Sequence, residues 1–299
     1  MKTLRALIKR NVRLFFSDKA LFLVSLITPA ILLLLYVTFL GNVYTDSLRL
    51  AGGDMLSDDL VEGFAGAQLI SSILAVSCVT VSFCSNMLMV QDRANGTIKD
   101  LTVSPVRPSV MAVGYYAATL LSTLIVCLSA TAVCLGYVAI TGWYLSFSDV
   151  ALLVLDVLIL CLFGVALSSV INFFLSSQGQ ISAVGSMVSS TYGFLCGAYM
   201  PLSQFSEGLR NALMFLPGTY GTALVRNHAM RGVLAAMEKE GASAEFVESV
   251  RDNFDCNLYL FDKQIDMPVM YAVICVSVAV LIGAYVLMNV LRGKRAAKR

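Results

Sequence analysis

The sequence predicts an all-α polytopic membrane protein, and three observations predict it. Hydrophobic residues fill 58% of the 299 positions and charged residues only 13%, where soluble domains carry about 25% charge. Several uninterrupted apolar runs exceed about 18 residues, the length that argues for a membrane span over a buried core helix. The charges between those runs are sorted. The N-terminus, the loop 91–109 and the C-terminal tail hold 6, 3 and 5 Lys/Arg against three acids, while the opposite side holds 7 Lys/Arg and 15 Asp/Glu. Basic residues collect on the cytoplasmic side, so both termini and the 91–109 loop are expected in the cytoplasm, with the chain multi-pass in the plasma membrane.

Residues 1–19 read as a basic amphipathic helix lying in the membrane interface. Leu4, Leu7, Ile8, Val12, Phe15 and Phe16 recur at helical spacing, and Lys2, Arg5, Lys9, Arg10 and Arg13 fill the other side. The apolar run that follows is too long for a signal-peptide core and has no A-x-A-like site after it.

Six spans are expected, over 20–41, 64–90, 110–141, 150–175, 180–200 and 268–291. Pro29 should kink the first. The segment 42–63 reads as an acidic external loop with a turn at Gly52-Gly53. Asp54, Asp58, Asp59 and Glu62 there lack the calcium-loop pattern. In the second span, Ser71, Ala75, Cys78, Ser82 and Ser85 fall on one face. In the fifth, Gly185, Ser189, Gly193 and Gly197 repeat every four residues beside Ser182, Ser186 and Ser190. Small residues at this spacing let helices pack closely, or they line a mildly polar path. Candidate path residues are Ser71, Ser82, Ser85, Ser182, Ser186 and Ser189. Asp156 is the one acid inside an expected span, either a functional group or an interfacial acid reaching water.

The external region before the last span divides in two. Residues 201–232 read as two short helices dipping into the outer leaflet, broken at Pro217-Gly218, neither of them long or apolar enough to span. Residues 233–267 read as a small acidic helical insert.

Recognisable chemistry is missing. There is no G-x-x-x-x-G-K-[ST] loop, no dinucleotide fingerprint, no H-E-x-x-H and no serine elbow with His and Asp partners. The single His, His228, reads as an interfacial hydrogen-bonding residue. Seven of the eight cysteines lie in apolar runs, Cys256 in a polar loop, and no pair shows metal-ligand spacing, so no metal site is expected. No cytoplasmic segment is large enough to be an engine. The chain is therefore passive or borrows its energy.

The stretch from Gln91 to Ser109, QDRANGTIKDLTVSPVRPS, is the place to borrow it. Asn95-Gly96 signals a turn, Thr97 to Val103 fits about two turns of helix with Ile98 and Leu101 on its buried side, and Ser104-Pro105 and Arg107-Pro108 stop it. A short rigid helix between two spans makes a lever. An ordinary positive-inside loop has the same composition.

These residues resemble the permease subunits of type-2 ABC exporters, which include drug-resistance, polysaccharide and nodulation-factor permeases. In the loop, Gly96, Thr97, Leu101, Ser104 and Pro105 match the family's G-T and L-x-x-S-P elements. The family often has Glu at the start, where this chain has Gln91-Asp92-Arg93, so its polar anchor is shifted or supplied by Asp92. Outside, Pro217, Thr219, Tyr220 and Arg226 match N-P-x-T-Y and its following Arg, although Leu216 stands where the family has Asn. The resemblance implies a coupling segment comprising Asp92, Asn95, Gly96, Thr97, Ile98, Lys99, Leu101, Ser104 and Pro105. It also implies a second permease facing the first across spans two and five, and separate ATPase subunits that bind ATP and Mg. This chain itself would be no enzyme and would hold no cofactor. Its partners would be these subunits and the lipid bilayer, with no nucleic acid. It would export an amphipathic or hydrophobic compound. The competing expectation is a non-transporting membrane sensor or scaffold whose external region binds a ligand or partner.

Overall fold

The computed structural model describes residues 2–52, 56–98, 106 and 108–296. The order is α1 (Lys2–Ser17), α2 (Lys19–Leu35), a π-helical segment (Tyr36–Leu40), α3 (Gly41–Gly52), α4 (Asp58–Ala94) and α5 (Pro108–Thr141). Then come α6 (Phe147–Phe173), α7 (Gln178–Leu195), a 3-10 turn (Leu202–Gln204), α8 (Glu207–Leu213), α9 (Pro217–Lys239) and α10 (Ala244–Asn253). The strands β1 (Leu258–Leu260) and β2 (Lys263–Ile265) precede α11 (Met267–Ala296).

The chain is built around α4. Its 37 residues rise about 55 Å at 1.5 Å each, against a hydrocarbon core of about 30 Å, so α4 is much longer than one crossing. Almost every side chain from Phe64 to Asn86 is buried, which is what a helix apolar on all sides requires. It packs against α2, α5, α6, α7 and α9. Gly164 of α6 lies where a Cβ would come within 3.0 Å of the Cys78 carbonyl, the Ser82 hydroxyl and Val79. The small residues of α4 therefore serve close approach to α6.

Several boundaries differ from the sequence expectations. Residues 42–52 are helical rather than a loop, because Tyr44 and Leu48 share a buried face. Asp58 and Asp59 form the first turn of α4, where negative charge meets the positive end of the helix dipole. Asp54 and Gly53 lie outside the described residues. Pro29 sits inside α2, and the helix changes its hydrogen-bond pattern later, at the π segment. Among the described residues, five helices are long and apolar enough to cross a membrane: 19–50, 58–94, 108–141, 147–173 and 267–291. The expected fifth span, now α7, is short and rich in Ser and Gly and is not among them. The protein is thus an all-α membrane protein with one small hairpin.

The external region needed the largest correction. The helix expected to be short is α9, 23 residues long with Pro at its first turn, and it runs through the expected boundary at 232. Gly218 to Met230 is continuously buried, so α9 is not a surface element. A Cβ on Gly221 would meet Leu160, midway along α6, and one on Gly232 would meet the backbone of Tyr144. The acidic insert is not wholly helical. After α10, β1 and β2 pair antiparallel with Leu258 opposite Ile265. Phe261 and Asp262 between them both have positive φ, as a tight hairpin turn demands.

Candidate coupling site

At the C-terminal end of α4 the chain builds a fastening. Asp92 is nearly buried, and its carboxylate accepts from both guanidinium nitrogens of Arg10, at 2.7 and 3.1 Å. The Tyr115 hydroxyl donates to it at 2.6 Å. Arg10 belongs to α1 and Tyr115 to α5, so one carboxylate joins three helices. The same hydrogen bond to Asp92 holds the Arg10 guanidinium above its ordinary pKa. Next along the chain, Arg93 donates to the carbonyls of Asn172, Phe173 and Leu175. These carbonyls close α6, where a helix end leaves acceptors without partners. Leu7 of α1 lies against Gly114 of α5, completing the dock.

The chain then leaves α4 through Asn95, whose N–H closes on the Gln91 carbonyl at 2.8 Å, and Gly96, at φ +80°. Thr97 and Ile98 begin a new helical turn. Lys99, Leu101, Ser104 and Pro105 lie outside the described residues. Asp92 was legible as the substitute for the family's acid. Arg10, Arg93 and Tyr115 were not, because nothing in their own neighbourhoods marks a partner that lies 82 positions away for Arg10, 79 to 82 for Arg93 and 23 for Tyr115.

The expected path residues fall into two groups. Ser71, Ser82 and Ser85 are enclosed by the chain itself, and Ser71 and Ser82 donate to carbonyls one turn back, of Gln68 and Cys78. Ser182, Ser186 and Ser189 line an open cavity of about 410 Å³ between α2, α4 and α7, together with Asp18, Met87 and Gln91. The structure does not bring the two groups to one surface.

At the far end, Pro217, Thr219 and Tyr220 set the start of α9. The Thr219 hydroxyl donates to the Leu213 carbonyl at 3.0 Å, and Tyr220 is buried. Arg226, only 1% exposed, donates to the Gly197 carbonyl at 2.7 Å and pairs with Asp255 at 3.4 Å. Gly197 has φ +72°, and a Cβ there would crowd Asp255 and Leu202. Asp255 also accepts from the backbone N–H groups of Leu202 and Ser203. Burial pushes its carboxyl up, against the opposing pull of Arg226 and those two amides.

Asp255 is the middle of a three-residue plug. Phe254 packs edge-on against Phe64 and Tyr44, and the Cys256 carbonyl accepts from Asn227 at 2.6 Å. Cys256 is buried, not in an open polar loop. Asp156 and His228 are also buried rather than interfacial. The His228 Nδ1 and the Tyr271 hydroxyl each lie 2.5 Å from an Asp156 carboxylate oxygen, joining α6, α9 and α11.

Among curated proteins no match to the chain is found. A family model described as ABC-2 type transporter matches residues 2–229, a span that holds the coupling loop, the serine-lined cavity and the start of α9. With five apolar helices among the described residues, the buried α4 one of them, and a match over well more than half its length, the chain belongs to the ABC-2 type transporter family and is a multi-pass membrane permease of that class.

Proposed function

We propose that this chain is the permease subunit of an ATP-driven exporter, with the segment from Asp92 through Leu101 as its contact with a separate ATPase subunit that binds ATP and Mg. The observation that carries the reading is the Arg10–Asp92–Tyr115 fastening, with Arg93 beside it. Any displacement delivered at Asn95 to Ile98 reaches α1, α4, α5 and α6 together, because their inner ends are held by charge-assisted hydrogen bonds. A rigid junction passes displacement on; a flexible linker would absorb it.

The path runs where two copies of the chain face each other, with Ser182, Ser186 and Ser189 on the cavity wall. Uncharged serines beside Leu21, Val24 and Met87 suit an amphipathic or hydrophobic cargo. In this arrangement α7 is the fifth of six spans, rising from the cytoplasmic side, and α8 and α9 are the re-entrant pair, with the start of α9 at the depth of Leu160. Both termini are cytoplasmic in the plasma membrane. The scaffold reading drew its support from the acidic 233–267 insert. Phe254, Asp255 and Cys256 tie that region into the helix core, which favours a built-in cap instead.

The test is reconstitution of the chain with its co-purifying ATPase in vesicles. Cargo-stimulated ATP hydrolysis and outward transport are expected. Both should fall together when Gly96 to Ile98 is replaced, with the helices intact by circular dichroism. If no ATPase co-purifies, or coupled transport survives those replacements, the reading fails.

A further inference from the structure

Cys78 of α4, Cys127 of α5 and Cys161 of α6 come from three different helices, yet their sulfur atoms all lie within 4.8 Å of one another. All three side chains are fully buried. A centre bonded to three sulfurs at about 2.3 Å each holds them roughly 3.4 Å apart when pyramidal and roughly 4 Å apart when planar, so the thiols need to close by little more than an ångström to bind one. The groups that act electrostatically on Cys127 and Cys161 are the other thiols of the cluster. Cys78 also makes a long contact to the Val157 carbonyl, at 3.8 Å.

We propose that these three thiols form a binding site for a trivalent metalloid, with arsenite as the representative. Net charge selects the ligand class. Soft thiolate sites take copper(I) and zinc, but three thiolates around copper(I) leave two uncompensated negative charges, and around zinc one. A buried uncompensated charge is costly. Trivalent arsenic with three thiolates is neutral. The chemistry balances without an oxidant: arsenous acid exchanges three As–O bonds for three As–S bonds. Each thiol proton leaves on a hydroxide as water, and arsenic stays trivalent. The product ties α4, α5 and α6 together at one point.

The test uses the full chain, purified in detergent micelles with reduced thiols. After addition of arsenite and gel filtration, one arsenic per chain should remain. Cys78, Cys127 and Cys161 should then be protected from alkylation, as read by mass spectrometry. Retention should fall about ten-fold or more in Cys78→Ala, Cys127→Ala or Cys161→Ala, and stay unchanged in Cys275→Ala, whose thiol is exposed. If an alanine variant misfolds, the alkylation pattern of the unaltered chain decides. Three outcomes overturn the proposal: no arsenic on the monodisperse protein, arsenic that leaves these thiols reactive, or an X-ray absorption spectrum with fewer than three sulfur neighbours. Tighter retention of zinc or copper(I) on the same three thiols overturns the assignment to a metalloid.

Discussion

Arg10 grips both carboxylate oxygens of Asp92 across 82 positions of sequence, and this contact fastens the interfacial helix α1 to the base of α4. Hydrogen bonds to charged groups contribute about 1.5–3 kcal/mol each, and Asp92 is far more buried than Arg10. Asp92→Ala should therefore cost about 2–3 kcal/mol in thermal unfolding of the purified chain. It should also free α1, seen as faster motion of a spin label at Arg5. Arg10→Lys should recover part of the stability, since a lysine supplies the charge without the two-pronged geometry. An unchanged label spectrum in Asp92→Ala would refute the fastening.

Gly96 separates two roles that other loop residues combine. Its φ of +80° is a conformation that side chains resist, but a Cβ there would meet nothing within 4 Å. Gly96→Val should thus cost about 1–2 kcal/mol of local backbone strain, without disturbing packing. The expected result is an intact fold with reduced stimulation of the partner ATPase. Gly96→Asn, which tolerates this backbone, should be close to unaltered. Equal activity of the two variants would mean that the turn does not set the coupling geometry.

Asp255 is the counter-charge of a buried arginine. Removing one member of a buried pair strands the other, typically at about 3–5 kcal/mol, so Asp255→Ala should destabilise the outer half severely. The change should appear as faster proteolysis of residues 233–267. Arg226→Met with Asp255→Leu removes both charges, and should be more stable than either single variant. Should the double variant be the least stable of the three, the pair is not the unit it is taken to be.

What the sequence made legible follows from distance along the chain. The basic N-terminal helix and the second, third, fourth and last expected spans are local signals of hydropathy, and helices stand there, whereas the first apolar helix runs on to residue 50 and the expected fifth is not among the helices long and apolar enough to cross. The depth of α9 was hidden because its sequence is only mildly apolar. Its burial comes from packing on α4, α6 and α11, and a side chain would collide at Gly218 with Tyr192 and Cys196, at Gly221 with Leu160 and Ile274, and at Gly232 with the backbone of Tyr144. The partners of Asp156 were hidden for the same reason. His228 and Tyr271 lie 72 and 115 positions away, and no local pattern links them.

Gly164 tests whether the small-residue face of α4 is for packing. A Cβ at this position would come within 2.9 Å of the Cys78 carbonyl and 3.0 Å of the Val79 Cα, and neither backbone atom can rotate away. Gly164→Ala should force α4 and α6 apart at about 1–3 kcal/mol, read as a lowered Tm. Gly136, which faces open space, should accept Ala without loss. A Gly164→Ala protein as stable as Gly136→Ala would leave close approach unsupported.

Asp156 separates a latch from a proton carrier. A buried acid in a membrane protein is a natural suspect for ion coupling, but both of its oxygens are engaged, one by His228 and one by Tyr271. An acid held on both sides ties α6, α9 and α11 together. As a latch, Asp156→Asn should lower Tm and leave transport dependent on ATP and indifferent to the proton gradient. His228→Gln should lower Tm by less, because the Tyr271 bond survives. As a proton carrier, the unaltered protein would lose transport when the gradient is collapsed with ATP present. Vesicle transport with and without an ionophore distinguishes the two, and the geometry of two short hydrogen bonds from neighbouring helices argues for the latch.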